Sequence, residues 1–108
     1  MSYYFNDQTF RHALKHFRGA EVVGPKSSQF FKAYSKKELE DLVNMAMMGT
    51  RVLKSEEKRK RVWMTRLPNP VGWSERPGQV TDHLRICLKN RLIISCYPCY
   101  PYIGNRLQ

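Results

Sequence analysis

The chain has 108 residues, room for one domain with a modest core and not for two. Nineteen Lys and Arg against nine Asp and Glu give a formal net charge of +10, which points to a polyanionic partner: nucleic acid, an anionic membrane surface or an acidic protein. Three cysteines make a disulfide framework an unsuitable reading, no apolar run approaches a membrane span, and no charged-then-apolar signal segment opens the chain.

Residues 1–5 form an apolar, aromatic lead-in. Asn6 or Asp7 is placed to N-cap a helix running to Arg18, with Gly19 as its stop. At about 100° per residue, Phe10, Ala13, Leu14 and Phe17 make one apolar stripe. Arg11, Lys15 and Arg18 make a basic face, and His12 and His16 lie one turn apart on the flank between. That histidine spacing suits a metal, but the glutamate of the zinc-protease pattern is missing between them. Surface histidines on a basic helix are the plain reading. A histidine beside a cationic face also suits general acid–base work, since its pKa lies near neutrality. His16 is nearer the stripe, and so is the better candidate for an oriented side chain.

Residues 20–34 read as irregular or briefly extended, broken by Pro25-Lys26-Ser27-Ser28. Ser35 and Glu38 form a capping box. The helix they open continues through Leu39, Leu42, Val43, Ala46 and Met47 to a stop at Gly49. Met45, Met47 and Met48 are expected as adaptable core packing. Residues 51–61 read as a basic loop relieved by Glu56 and Glu57, with Lys58, Arg59 and Lys60 suited to phosphate contacts. Residues 61–67 read as a strand that sends Trp63 and Met64 to opposite faces and includes Arg66. Residues 68–79 form a long Pro- and Gly-rich loop of the kind that often carries function. In it, Trp73 and Arg76 are placed either to stack on and grip a nucleotide or, for Trp73, to cover the core edge.

Residues 80–98 carry the strongest local pattern. Leu84, Ile86 and Leu88 alternate with His83, Arg85 and Cys87; Leu92, Ile94 and Cys96 alternate with Ile93, Ser95 and Tyr97. Period-two alternation predicts two strands with unlike faces. A two-residue turn puts Ser95 among the aliphatics. A three-residue connection at Lys89-Asn90-Arg91 instead pairs Leu88 with Leu92, Ile86 with Ile94 and Leu84 with Cys96, and burial fixes register. Asn90 tolerates the positive φ that such a loop requires. The other face then carries His83, Arg85, Ser95 and Tyr97, with Arg85 opposite Ser95 and His83 opposite Tyr97. Cys96-Tyr-Pro-Cys99 is formally C-x-x-C, but it follows a strand and opens no helix, which argues against a redox motif. Cys87 with Cys96 and Cys99 matches no zinc-ribbon spacing. No metal or other cofactor is expected.

The order helix, helix, then at least three antiparallel strands, with a basic balance and a polar sheet face, resembles the barnase/EndoU/colicin/RelE-like (BECR) superfamily of small ribonuclease toxins. The segment from Phe10 to Phe17 (F-x-x-x-L-K-H-F) and the hairpin L-R-I-C-L returning as L-I-I-S-C-Y-P carry the resemblance. Ser95 stands where Thr is commoner, and Asn90 replaces the usual turn glycine. The resemblance implies an α+β fold, residues 1–108 as one domain, with N-terminal helices packed on one face of a small twisted antiparallel sheet.

It also implies metal-independent cleavage of tRNA or other RNA. A base activates the ribose 2′-hydroxyl, an acid protonates the leaving 5′-oxygen, and cations stabilise the phosphorane. His16 is expected as base or acid, His12 or His83 as second proton carrier, and Arg85 with Lys15 or Arg66 as cations. Ser95 and Tyr97 are expected to hydrogen-bond phosphate or orient a base. Arg11, Arg18, Arg66, Trp73, Arg76, Lys58, Arg59 and Lys60 are expected to contact RNA. The expected partners are tRNA or mRNA and an acidic immunity protein or antitoxin, with no membrane anchor. The expected place of action is the cytoplasm of a producing or target cell, including delivery within a larger secreted protein. Two other classes fit the charge: a non-catalytic RNA- or DNA-binding module, and a small protein that binds an acidic partner.

Overall fold

Asn6 caps the first helix. Its Oδ1 accepts from the Thr9 amide at 2.8 Å, and Thr9 Oγ1 accepts from the Asn6 amide at 3.1 Å. Helix α1 spans Asp7–Ala13 in the computed structural model, which describes residues 2–17, 28–74 and 79–100. The expected end of the helix at Arg18 and Gly19 lies outside the described residues. Within them the α-helix already ends at Ala13 and tightens into a 3-10 turn, Leu14–His16. Three residues per turn instead of 3.6 rotates the stripe. Ala13 and Phe17 stay buried, while Leu14 is 42 % exposed.

A two-residue strand, β1 (Gln29–Phe30), follows. Helix α2 (Lys36–Met48) has the expected capping box, with Ser35 Oγ accepting from the Glu38 amide at 3.1 Å and Gly49 at its end. Leu39 and Val43 on it are fully buried. The methionines do not act together. Met47 is core, but Met45 is 48 % and Met48 89 % exposed, because successive positions near the helix end point in different directions.

The expected basic loop at 51–61 is a hairpin. Strand β2 (Thr50–Glu57) turns through Lys58 and Arg59, both at positive φ, into β3 (Lys60–Arg66). Every β2 residue is exposed. An edge strand with solvent on both faces needs no alternation to hold it, and its charges discourage further pairing. Strands β4 (Gly72–Trp73) and β5 (Val80–Thr81) sit within and after the long loop and join β1 in a small antiparallel sheet, order β1-β4-β5. Strands β6 (His83–Lys89) and β7 (Leu92–Pro98) complete the larger antiparallel sheet, order β2-β3-β6-β7.

The main hairpin has its two strands where expected but a different register. The turn is two residues, Asn90 and Arg91, with Asn90 at φ 55°. Leu88 pairs Ile93, Cys87 pairs Ser95, Ile86 pairs Cys96, Arg85 pairs Tyr97 and Leu84 pairs Pro98. Ile94 is an extra residue in β7, a bulge. The bulge removes the objection to a two-residue turn. It lets Ile93 and Cys96 both face the core while Ser95 and Tyr97 keep the polar face. Arg85 therefore faces Tyr97 and not Ser95, and His83 has no partner within β7.

The core lies on one side of the large sheet. Leu84, Ile86 and Ile93 from the sheet, Leu39 and Val43 from α2, and Phe30 from β1 are all fully buried in one cluster with Phe5, Ala13 and Phe17. Trp63 packs against this cluster, while Met64 is on the other face opposite Arg85, its Sδ 3.1 Å from Cys99 Sγ. The opposite edge of the sheet is partly covered: the Tyr4 amide donates to the Arg91 carbonyl at 3.0 Å, and the Ile93 amide to the Tyr4 carbonyl at 2.7 Å. The described residues form a compact α+β fold with two α-helices and two antiparallel sheets. No described helix is long and apolar enough to cross a membrane.

Candidate active site

Helix α1 and its 3-10 turn pack against β7, the outer strand. Phe17 enters the core, while His16 reaches the polar face and stacks on Tyr97, ring centroids 4.9 Å apart at 17°. The shortened helix makes this possible. The 3-10 turn directs His16 toward the sheet, and Phe17 then leaves in extended conformation at φ −83°, ψ 144°.

Between helix and sheet lies a cleft of about 320 Å³ lined by His12, Lys15, His16, Arg85, Ser95 and Tyr97, with Ala13, Ile94 and Cys96 as its apolar part. Six of the eight residues expected at the chemistry thus meet in one place, while His83 and Arg66 lie elsewhere. None of the described lining residues is a carboxylate. Arginine, lysine and two histidines on one cleft favour an anionic ligand.

His16 is held at one nitrogen. Its Nδ1 lies 2.9 Å from the Ser28 carbonyl oxygen and 3.3 Å from Ser28 Oγ. A carbonyl only accepts, so Nδ1 carries the proton and Nε2 is the basic nitrogen of the neutral ring. Ser28 is itself 1 % exposed. The contact therefore fixes tautomer and ring orientation from a buried anchor. Arg85 Nη1 donates to Tyr97 Oη at 2.5 Å. The phenol accepts there, which directs its own O–H away from the guanidinium. The chain His16 ring, Tyr97 ring, Arg85 guanidinium is a stacked and hydrogen-bonded unit with little rotamer freedom.

His83 lies apart. It shares a sheet face with Arg85 but lines a separate hollow with Asp82, Thr81, Gln79 and Tyr100. Its Nδ1 is 2.8 Å from Asp82 Oδ1, an ion-pair distance without hydrogen-bond geometry. Asp82 also accepts from Arg66 Nε at 3.2 Å. Partial burial pushes the Asp82 carboxyl up, but the Arg66 hydrogen bond and the neighbouring His83 outweigh it and hold the group below the usual range. Arg66 is thereby tied to a carboxylate at the other end of the sheet from the hairpin turns.

The expected RNA contacts divide. Arg11 is exposed on α1 outside the cleft lining. Arg18 and Arg76 lie outside the described residues. The Trp73 ring meets Phe31 edge to face at 4.7 Å and is half-buried, which fits the edge-covering reading. Lys58 and Lys60 line a groove on the polar sheet face with Ser55, Glu57, Val62 and Cys87. Arg59 lines a hollow with Tyr3 and Arg61, the core-side neighbour of Leu88.

The sequence reading missed Ser28 and Ile94. Ser28 meets His16 through tertiary packing, which no local pattern records. Ile94 enters the cleft through the bulge. Two short hydrophobic residues in a row, Ile93 and Ile94, were the available sign, since strict alternation places only one on the core. Among the described residues no three His, Cys, Asp or Glu side chains come together as a metal site. None of the three cysteines is in a disulfide, and burial pushes the Cys96 thiol far up, which leaves it unreactive. In comparisons with known proteins, no family model, curated protein or solved structure matches the chain.

Proposed function

We propose that the chain is a metal-independent endoribonuclease of the toxin kind, acting on tRNA or another cellular RNA. The observation that carries this reading is the convergence of His16, His12, Lys15, Arg85, Ser95 and Tyr97 on one cleft.

His16 Nε2 takes the proton of the ribose 2′-hydroxyl. The 2′-oxygen attacks phosphorus, the bond from phosphorus to the 5′-oxygen breaks, and His12 protonates that oxygen as it leaves. The products are a 2′,3′-cyclic phosphate and a 5′-hydroxyl. Arg85 and Lys15 stabilise the charge that builds on the non-bridging oxygens, and Ser95 and Tyr97 donate hydrogen bonds to the same group. Each well-placed donor of this type contributes roughly 3 kcal/mol to the transition state. The Ser28 anchor matters because a base already holding the right tautomer has no reorganisation left to make. The natural inhibitor of such a cleft is an acidic protein that covers it, an immunity protein or antitoxin recognised by charge complementarity.

The acid and base roles separate with a modified substrate. RNA whose scissile 5′-oxygen is replaced by sulfur has a leaving group that needs no proton. His12→Ala is expected to lose activity on ordinary RNA and recover it on the thio substrate, while His16→Ala stays inactive on both. Failure of the thio substrate to rescue His12→Ala removes His12 from the acid role.

A further inference from the structure

Strands β3 and β6 place Lys60 and Lys89 directly opposite each other. Like charges across a ladder destabilise it. Neither lysine forms an ion pair among the described residues, although Arg61, next to Lys60, takes Glu56 at 2.8 Å. The next pair on the same face is Val62 with Cys87, both half-buried, and the one after is Met64 with Arg85. Cys87 in turn pairs Ser95, which lines the cleft. One continuous polar-face track therefore leads from the cleft across a mildly apolar floor to two facing lysines. Lys58 lies beside its end, and Glu57, the one carboxylate among the groove's described lining residues, sits opposite Lys60 on β2.

From these observations we infer a second phosphate-binding subsite at Lys60 and Lys89, which takes the backbone of a single-stranded RNA whose scissile phosphate lies in the cleft. The inference rests on the ribonuclease reading for the position of the cleaved bond. Four residues separate Arg85 from Lys89, roughly 13 Å at about 3.3 Å per strand residue. That spans at most about four nucleotide steps at the 3.4 Å spacing of a stacked strand, and fewer in an extended one. Val62 and Cys87 supply a surface for base faces between the two phosphate positions. A duplex offers its bases only in grooves, so a flat floor with cations at its end suits a single strand. A lone cation at this position would be an ordinary solvated lysine. Glu57 faces Lys60 from β2, but Lys58, Lys60 and Lys89 outnumber it three to one, which leaves a net positive charge for a phosphate to join.

The test uses a 2′-O-methyl hexanucleotide, which binds but has no 2′-hydroxyl to react. Its affinity for the wild type, for K60A/K89A and for the control K37A is measured against salt concentration. The double variant is expected to bind about five- to tenfold more weakly at moderate salt, and to lose about 1.4 from the slope of log affinity against log salt, the share of two single-strand phosphates. K37A, on the exposed face of α2, is expected to match the wild type. The hexanucleotide is also expected to slow maleimide labelling of Cys87, the one cysteine that is not buried. Both lysines are exposed, so K60A/K89A is expected to keep a Tm close to that of the wild type, and weak binding is then not the result of unfolding. An unchanged slope in K60A/K89A, or unprotected Cys87, overturns the subsite. Binding with these signatures but no cleavage of ordinary RNA keeps the subsite and overturns the ribonuclease reading; cleavage with an unchanged slope does the reverse.

Discussion

Arg85 donates to the Tyr97 phenol and lines the same cleft as Lys15, so removing it takes away both a cation and the group that orients Tyr97. R85A is expected to lower single-turnover cleavage about 10²- to 10³-fold, with little change in Tm because the side chain is only half-buried. A loss under about threefold would mean that the guanidinium does not face the reacting phosphate. Asp82 offers a separate check by pH. Its folded pKa is depressed, so its stabilising effect is complete above the ordinary aspartate range near 3.9 and lost as pH falls through the lower folded value. D82N is therefore expected to be less stable than wild type by about 1 kcal/mol at pH 7, with the gap closing in strong acid, as read by urea unfolding at both pH values. At this level the sequence was informative about which side chains meet in the cleft. Arg85, Ser95 and Tyr97 follow from period-two alternation, and His16 from its nearness to the apolar stripe. It was silent on Ser28, whose contact with His16 joins residues twelve apart through a fold that local patterns do not encode.

The bulge at Ile94 shows how an element can be right in place and wrong in register. The alternation located both strands of the hairpin, and Asn90 takes the positive φ expected of it. The two-residue turn and the one-residue insertion together change every cross-strand partner, and only the packed core selects where the insertion falls. Strand β2 was hidden for the opposite reason: it buries nothing, and its turn residues, Lys58 and Arg59, are not the Asn-Gly pair that advertises positive φ. The small sheet was invisible because its strands are two residues long. One glycine joins it to the large sheet. A β carbon at Gly72 would collide with the Gln29 carbonyl and lie 2.8 Å from Pro98 Cγ and 2.9 Å from Phe30 Cα. Two of these three neighbours are backbone atoms, which cannot swing aside. G72A is expected to cost about 3 kcal/mol or more by chemical denaturation. A cost under about 1 kcal/mol would mean that β1 and β4 are not held this closely. Ile86→Ala, at a fully buried central position, is expected to cost about 2–5 kcal/mol by the same measurement.

The net charge of +10 is spread unevenly over the fold. Three acidic side chains lie on α2, two at the end of β2 and one, Asp82, beside Arg66 at 3.2 Å. The described lining of the cleft has none. Charge alone pointed to a polyanion. The fold adds that histidines stand among the cations at one place, as the proposed chemistry requires. The most direct test incubates the purified protein with total tRNA and a folded mRNA in excess EDTA, beside H16A. The wild type is expected to give discrete fragments ending in 2′,3′-cyclic phosphate, and H16A to give none while binding RNA with nearly unchanged affinity. Intact RNA with both proteins, or equal cleavage by both, would contradict the account.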